Sequence, residues 1–219
     1  MKQLAIFGAG GHAREVAQLV EDINLAQPDT WQLVGFLADP NTTVVVNKPL
    51  PAPLLGGVEW LLANPEASVI VAAGDPVGRR ALVQRLTSIH PSLTFATLVH
   101  PRAWLAKQVT IGAGSVVYPG VLINADVHVG SHVILNLGCT ISHDCQLGNF
   151  ASLSPGVHLA GAVMLGEAVD VGTGASVRPN TRVGEGSVVG AGSVVIGNLP
   201  EHCVAYGVPA VVRGSTGRK

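Results

Sequence analysis

A chain of 219 residues is long enough for one large domain or two modest ones, each with a buried core. Its formal net charge of −1 removes the basic footprint that nucleic-acid binding requires, and only 12% charged against 47% hydrophobic residues points to surface covered by another subunit. No run reaches the roughly 18 apolar residues that span a bilayer, and Met1-Lys2-Gln3-Leu4 leads straight into a strand, so a soluble cytoplasmic protein with no membrane insertion is expected.

In chain order, Leu4-Ala5-Ile6-Phe7 reads as a buried strand, Gly8-Ala9-Gly10-Gly11 as a tight turn, and Ala13, Val16, Ala17, Val20 and Ile23 as the apolar stripe of a helix. A second strand covers Gln32 to Phe36 and ends near Asp39; Pro49-Leu50-Pro51-Ala52-Pro53 is a loop, Val69-Ile70-Val71-Ala72 another buried strand, and Arg79 to Ser88 another helix. This is a Rossmann-like α/β unit with a parallel sheet, placed at residues 1–92. Gly8, Gly10 and Gly11 stand where backbone N–H groups approach a phosphate at a helix N-terminus, with Ala13 in the place of a third glycine. A purely structural turn is the competing reading. The unit is short for a complete dinucleotide domain, which favours a mononucleotide or nucleotide sugar over NAD, and Asp39 is placed to accept hydrogen bonds from a base or ribose.

From residue 99 the pattern changes. Counting in sixes from Ile111, the positions Val117, Ile123, Val129, Leu135, Ile141 and so on to Val195 are all aliphatic; fifteen such residues in succession would arise by chance on the order of once in a billion. Val99 and Leu105 extend the phase upstream. Small or β-branched residues follow four positions later, among them Ser115, Val121, Val127, Cys139, Cys145 and Ala151. Neither a helix nor an ordinary strand has a period of six, whereas three hexapeptides close one triangular turn of a left-handed parallel β-helix, so that residues 18 apart stack on neighbouring coils. This prism is assigned to residues 93–200 and a cap for its open end to 201–219. Cys139 and Cys145 fall in the inward phase and Cys203 stands alone, so the cysteines read as core residues rather than a disulfide or zinc framework.

His143 lies two residues after the inward Ile141, where Pro119, Pro155 and Pro179 stand in other repeats, so its side chain should point outward from a corner. Asp144 follows it, and the residues 18 away, Ala125 and Gly161, are small enough to leave a slot beside the ring. A solvated surface histidine is the plainer alternative. His128, His132 and His158 have no adjoining acid and read as surface residues; His128, His143 and His158 fall at offsets that do not stack on a metal, so a carbonic-anhydrase-type zinc site is disfavoured.

The run Asn136-Leu-Gly-Cys-Thr-Ile-Ser-His143-Asp144-Cys145-Gln-Leu-Gly-Asn-Phe150, the opening Gly8-Ala-Gly-Gly-His12 and the closing Gly207-Val208-Pro209-Ala210 resemble the bacterial sialic-acid O-acetyltransferase-like family, whose best understood branch N-acetylates nucleotide-linked amino sugars. The resemblance implies a homotrimer with active sites between prisms, nucleotide sugar held by the N-terminal domain, and acetyl-CoA lying along the coils past Gly161, Thr173, Pro179, Ala191 and Pro209. It implies His143 as general base, Asp144 as its orienting acid and Gly161 as a backbone N–H donor to the thioester oxygen. Gly8, Gly10, Gly11, His12, Asp39, Gly74, Asp75, Arg79 and Asn136 fall on the acceptor side. Three departures stand out: Ala38 in place of an acid, Ser152 where some relatives carry a second active-site histidine, and Val211 in place of a lysine.

An amine attacking a thioester must lose a proton, which an imidazole with an ordinary pKa near 6.5 is suited to accept, and a fixed N–H on the developing oxyanion is worth about 3 kcal/mol. No cysteine sits beside His143, so direct transfer is expected rather than an acyl-cysteine intermediate. O-acetylation of a sialic-acid-type sugar and non-catalytic nucleotide-sugar binding are the alternatives, and an NAD-dependent oxidoreductase would leave everything after residue 100 unexplained.

Overall fold

The computed structural model describes residues 1–39 and 48–217. Strand β1 (Lys2–Phe7), helix α1 (Gly11–Ala26), β2 (Trp31–Leu37), β3 (Leu54–Gly56), α2 (Val58–Ala63), β4 (Ser68–Val71) and α3 (Pro76–Ile89) follow in order. The four strands pair in parallel in the order β3-β2-β1-β4. Burial on both faces accounts for the unbroken apolar runs of β1 and β4, as parallel sheets require. Two elements were not foreseen from the sequence: the three-residue β3, directly after the proline-rich loop, and the short α2, whose six residues are too few to show a helical period.

The first prism strand is Leu98–Val99, and pairs of strand residues recur every six positions to Val194–Val195. They form three parallel sheets, one per prism face, in which Ile141 pairs with Ile123 and Leu159 on either side, the expected 18-residue stacking. The first face carries Val117, Leu135 and Leu153; the second Ile123, Ile141 and Leu159; the third Val129, Leu147 and Leu165. Their side chains and the second inward set, including Val121, Val133, Cys139, Cys145 and Val157, fill one continuous core. Burial raises the Cys139 thiol to about 11, so it is held as an inert thiol.

Each corner requires a residue with positive φ, and this falls on every sixth position from Gly114 to Gly192. Glycine or Asp/Asn occupies most of these positions, because they tolerate the left-handed region; Asp144 is one of them, with φ 61°. Beyond the repeats, Cys203–Gly207 pairs in parallel with the first face and turns back antiparallel as Ala210–Ser215, and Leu199, Cys203 and Ala205 join the prism core.

The α/β unit rests on the first face. One side of its sheet and α1 share a core with Leu98, Val116, Tyr118 and Ile134, while on its other side Phe150 packs with the cluster that contains α3. His132 corrects the expectation of a surface residue: it is only 6% exposed, stacked on Phe150 with centroids 5.0 Å apart and edge-on to Phe95 at 4.7 Å. The aromatic partners come from the neighbouring coil and the connecting segment, so its burial is a product of docking. That burial, with the nearby Arg79 cation, depresses the His132 pKa to about 4. A histidine that is harder to protonate folded than unfolded contributes stability above pH 6.5 that is lost as pH falls from 6.5 towards 4. With partial solvent screening the loss is on the order of 2 kcal/mol. Thermal denaturation of wild type should therefore show Tm falling by several degrees over that window. His132→Phe should flatten the fall, and an equally steep fall in the variant would refute the assignment.

Candidate active site

His143 stands on the corner between the second and third faces, 62% exposed, as expected of an outward corner residue. Its Nδ1 lies 2.7 Å from Asp144 Oδ2. The carboxylate accepts the Nδ1–H, which leaves the Nε2 lone pair free to take a proton. The left-handed backbone at Asp144 turns its side chain back toward its own neighbour, so the pair is made within one corner.

Gly161, one coil on, lies directly beneath the ring: a methyl group there would stand 2.7 Å from Cε1 and 2.8 Å from Nε2 of His143. The slot anticipated from the small residue is thus occupied by the imidazole itself. Its φ lies outside the left-handed region, so glycine is required here by space and not by backbone conformation. On this corner two coils earlier the Ala125 N–H is capped by Asn124 Oδ1 at 2.8 Å. At Gly161 the preceding residue is Ala160, which has no acceptor, and among the described residues nothing accepts the Gly161 N–H. Base and free N–H are therefore adjacent at an open corner, an arrangement able to accept a proton and donate to a developing oxyanion within one small volume.

The residues implied for acetyl-CoA divide between two edges of the second face. Pro179 continues the His143 and Gly161 column, whereas Thr173 and Ala191 stack on the corner between the first and second faces, and all three are exposed. Pro209 is exposed in the turn between the last two strands.

The acceptor-side residues separate into two groups. Gly11, His12, Gly74 and Asn136 line one cleft of about 420 Å³ between the α/β unit and the first face, with Glu15, Ser152 and Asp170 on its walls. Gly10 is the N-cap of α1 and has open space beside it, while Gly8 brings β1 against Ala72, whose carbonyl oxygen would lie 2.9 Å from an added Cβ. His12 Nδ1 is 3.3 Å from both Glu15 Oε2 and the Tyr118 hydroxyl, and burial lowers its pKa, which keeps the ring neutral at pH 7. Its Nε2 is buried with no partner among the described residues. Asn136 Oδ1 caps the Leu137 N–H at 2.8 Å.

The second group does not face the cleft freely. Asp75 caps α3 through the Gly78 N–H at 2.7 Å, and both Asp39 carboxylate oxygens accept from Arg85 Nη2, at 2.9 and 2.7 Å. Arg79 corrects the expectation of a sugar-binding side chain: it is 1% exposed and its N–H groups are directed to protein acceptors. Tyr118, Glu15 and Asp170 were missed. Asp170 was recoverable from the repeat, being the outward residue 18 after Ser152, but nothing in the sequence joins Tyr118 to His12, 106 residues away.

The PglD N-terminal domain family matches residues 3–86. A curated relative, UDP-N-acetylbacillosamine N-acetyltransferase of Bacillus subtilis (strain 168), is 36% identical over 128 residues, 53% of this chain; the match spans about half, 51%, of that relative's length. Two solved structures are similar over nearly the whole chain. The acetyltransferase domain of PglB from Neisseria gonorrhoeae FA1090, in complex with acetyl coenzyme A, is 30% identical with a TM-score of 0.85, covering 97% of this chain and 99% of that one. PerB from Caulobacter crescentus, in complex with CoA and GDP-perosamine, is 31% identical with a TM-score of 0.85, covering 98% of each chain.

Proposed function

Because the chain belongs to the hexapeptide-repeat N-acetyltransferases of nucleotide-linked amino sugars, we propose that it transfers the acetyl group of acetyl-CoA directly to the amine of such a sugar in bacterial surface-glycan biosynthesis in the cytoplasm. The observation that carries this reading is the His143–Asp144 pair at 2.7 Å packed over the uncommitted Gly161 N–H. His143 Nε2 accepts the proton of the amine as its nitrogen attacks the thioester carbon. The Gly161 N–H stabilises the oxyanion, and collapse of the tetrahedral intermediate breaks the C–S bond, the proton passing from the imidazolium to the departing CoA thiolate. Asp144 holds the tautomer and stabilises the imidazolium.

In this reading residues 1–92 hold the nucleotide sugar, with its phosphates at the uncapped N-terminus of α1 and the buried His12 Nε2 satisfied by the ligand. Residues 93–200 carry the acetyl transfer and 201–219 cap the prism. The cleft opens on the first face whereas His143 stands on the corner farthest from it, so a complete site requires the His143 corner of one copy against the Asn136 side of another. The exposed Trp104 and Leu122 on the intervening second face fit such packing. A homotrimer closes this heterologous contact.

Release of CoA over a panel containing GDP-perosamine, a UDP-linked amino sugar, a dTDP-linked amino sugar and free sialic acid tests the activity, with turnover of a nucleotide amino sugar expected. Turnover of free sialic acid alone would overturn the acceptor class. Light scattering at assay concentration should report a trimer, and an active monomer would sink the shared site.

A further inference from the structure

Arg79 is the largest fully buried side chain among the described residues. Its Nε–H donates to the His132 carbonyl at 2.9 Å. Nη1 donates to the carbonyls of Ala73 and Gly74 at 2.7 and 3.0 Å, and Nη2 to the Phe150 carbonyl and Ser152 Oγ at 2.7 and 2.8 Å. Ser152 Oγ lies in turn 3.3 Å from the Gly74 carbonyl, to which it donates. The guanidinium thus ties the loop after β4 to two coils of the prism, and both Gly74 and Ser152 line the acceptor cleft.

Docking does not need this cation. Two apolar clusters already join the α/β unit to the prism, and the next residue, Arg80, pairs with Glu167 at 3.1 Å and Glu185 at 3.4 Å. A buried charge is a costly way to add stability and a precise way to set geometry, because a planar fork with five donors fixes direction as well as distance. We propose that Arg79 is a positioning residue for the acceptor: it locks the Ala73–Gly74 carbonyls to the coil at Phe150–Ser152 and so sets the separation of the two cleft walls. Ser152, which takes the place of a second histidine in some relatives, serves here as the prism side of that lock. The inference rests on the assignment of the cleft to the nucleotide sugar.

Arg79→Lys retains the charge but has three donors on one atom and cannot span the two walls. With whichever nucleotide amino sugar of the panel is turned over as probe, KM for that sugar should rise about 10- to 100-fold, while KM for acetyl-CoA and kcat stay within about threefold. A merely structural role would lower Tm or the active fraction and leave both KM values unchanged, and that result would overturn the proposal. Should Arg79→Lys fail to fold, Ser152→Ala removes only the hydroxyl link; a rise of about threefold or more in sugar KM is expected, and no change overturns the lock. Amide hydrogen exchange across residues 72–76 supplies a readout independent of substrate. Exchange there should quicken in Arg79→Lys, or in Ser152→Ala if it is the folded variant, while the prism core is unaffected; equal rates reject the lock. Wild type that acetylates nothing in the panel rejects the functional reading, whereas an active wild type with unchanged variant KM values rejects only the role of Arg79.

Discussion

Replacing His143 with alanine is expected to lower kcat by about 10²- to 10⁴-fold, the usual worth of a general base, without loss of fold. The side chain is 62% exposed and its ring makes no contribution to the prism core, which is closed beneath it by Ile141 and Cys145. CoA release under saturating acetyl-CoA, together with Tm, checks this; a variant retaining near wild-type turnover would remove His143 from the mechanism. Asp144→Asn should cost less, about tenfold, because it keeps the geometry of the 2.7 Å contact but loses the charge that stabilises the imidazolium. Since Asp144 also holds φ at 61°, Asn is the variant to use: it tolerates that backbone where most residues are strained.

Gly161→Leu is expected to abolish acetyl transfer as completely as loss of the base itself. Any side chain at this position starts with a Cβ within 2.8 Å of Nε2, so the imidazole must leave its place over the Gly161 N–H. The change leaves the inward Leu159 and Val163 untouched, and the backbone imposes no glycine-only conformation, so the protein should fold, keep its oligomeric state and still bind nucleotide sugar. Gly161→Ala is sharper than its small size suggests. One methyl already collides with the ring, and displacement of a catalytic base by about an ångström is worth about 10²-fold. Alanine should therefore fold normally and fall well below wild type, with leucine lower still. Thermal denaturation, nucleotide-sugar binding and CoA release on the three proteins test the series. A folded Gly161→Leu enzyme with undiminished CoA release rejects the placement of the thioester, and full activity in Gly161→Ala rejects the packing of base on glycine.

Periodicity alone determined the prism, because a hexapeptide rule is local: each inward aliphatic is specified by its own six residues, and the 18-residue stacking of Ile141 on Leu159 follows from closure into three faces. The outward placement of His143, its pairing with Asp144 and the smallness of Gly161 were legible for the same reason, since all three lie within one corner and its coil neighbour. The glycine turn and the α1 stripe were likewise local. Tertiary structure decided what crosses between the two folding patterns. Arg79 lies 53 residues from His132 and 71 from Phe150 along the chain and meets them only because the α/β unit docks on the first face. No period relates a helix to a prism corner, so a motif arginine reads as a ligand in sequence and is buried against carbonyls in space. His12 and Tyr118 meet for the same reason, across 106 residues. Gly161 marks the division most closely: its small size was visible in the repeat, but that the imidazole itself fills the space above it, leaving no room for a methyl group, depends on distances that only the packed coils set.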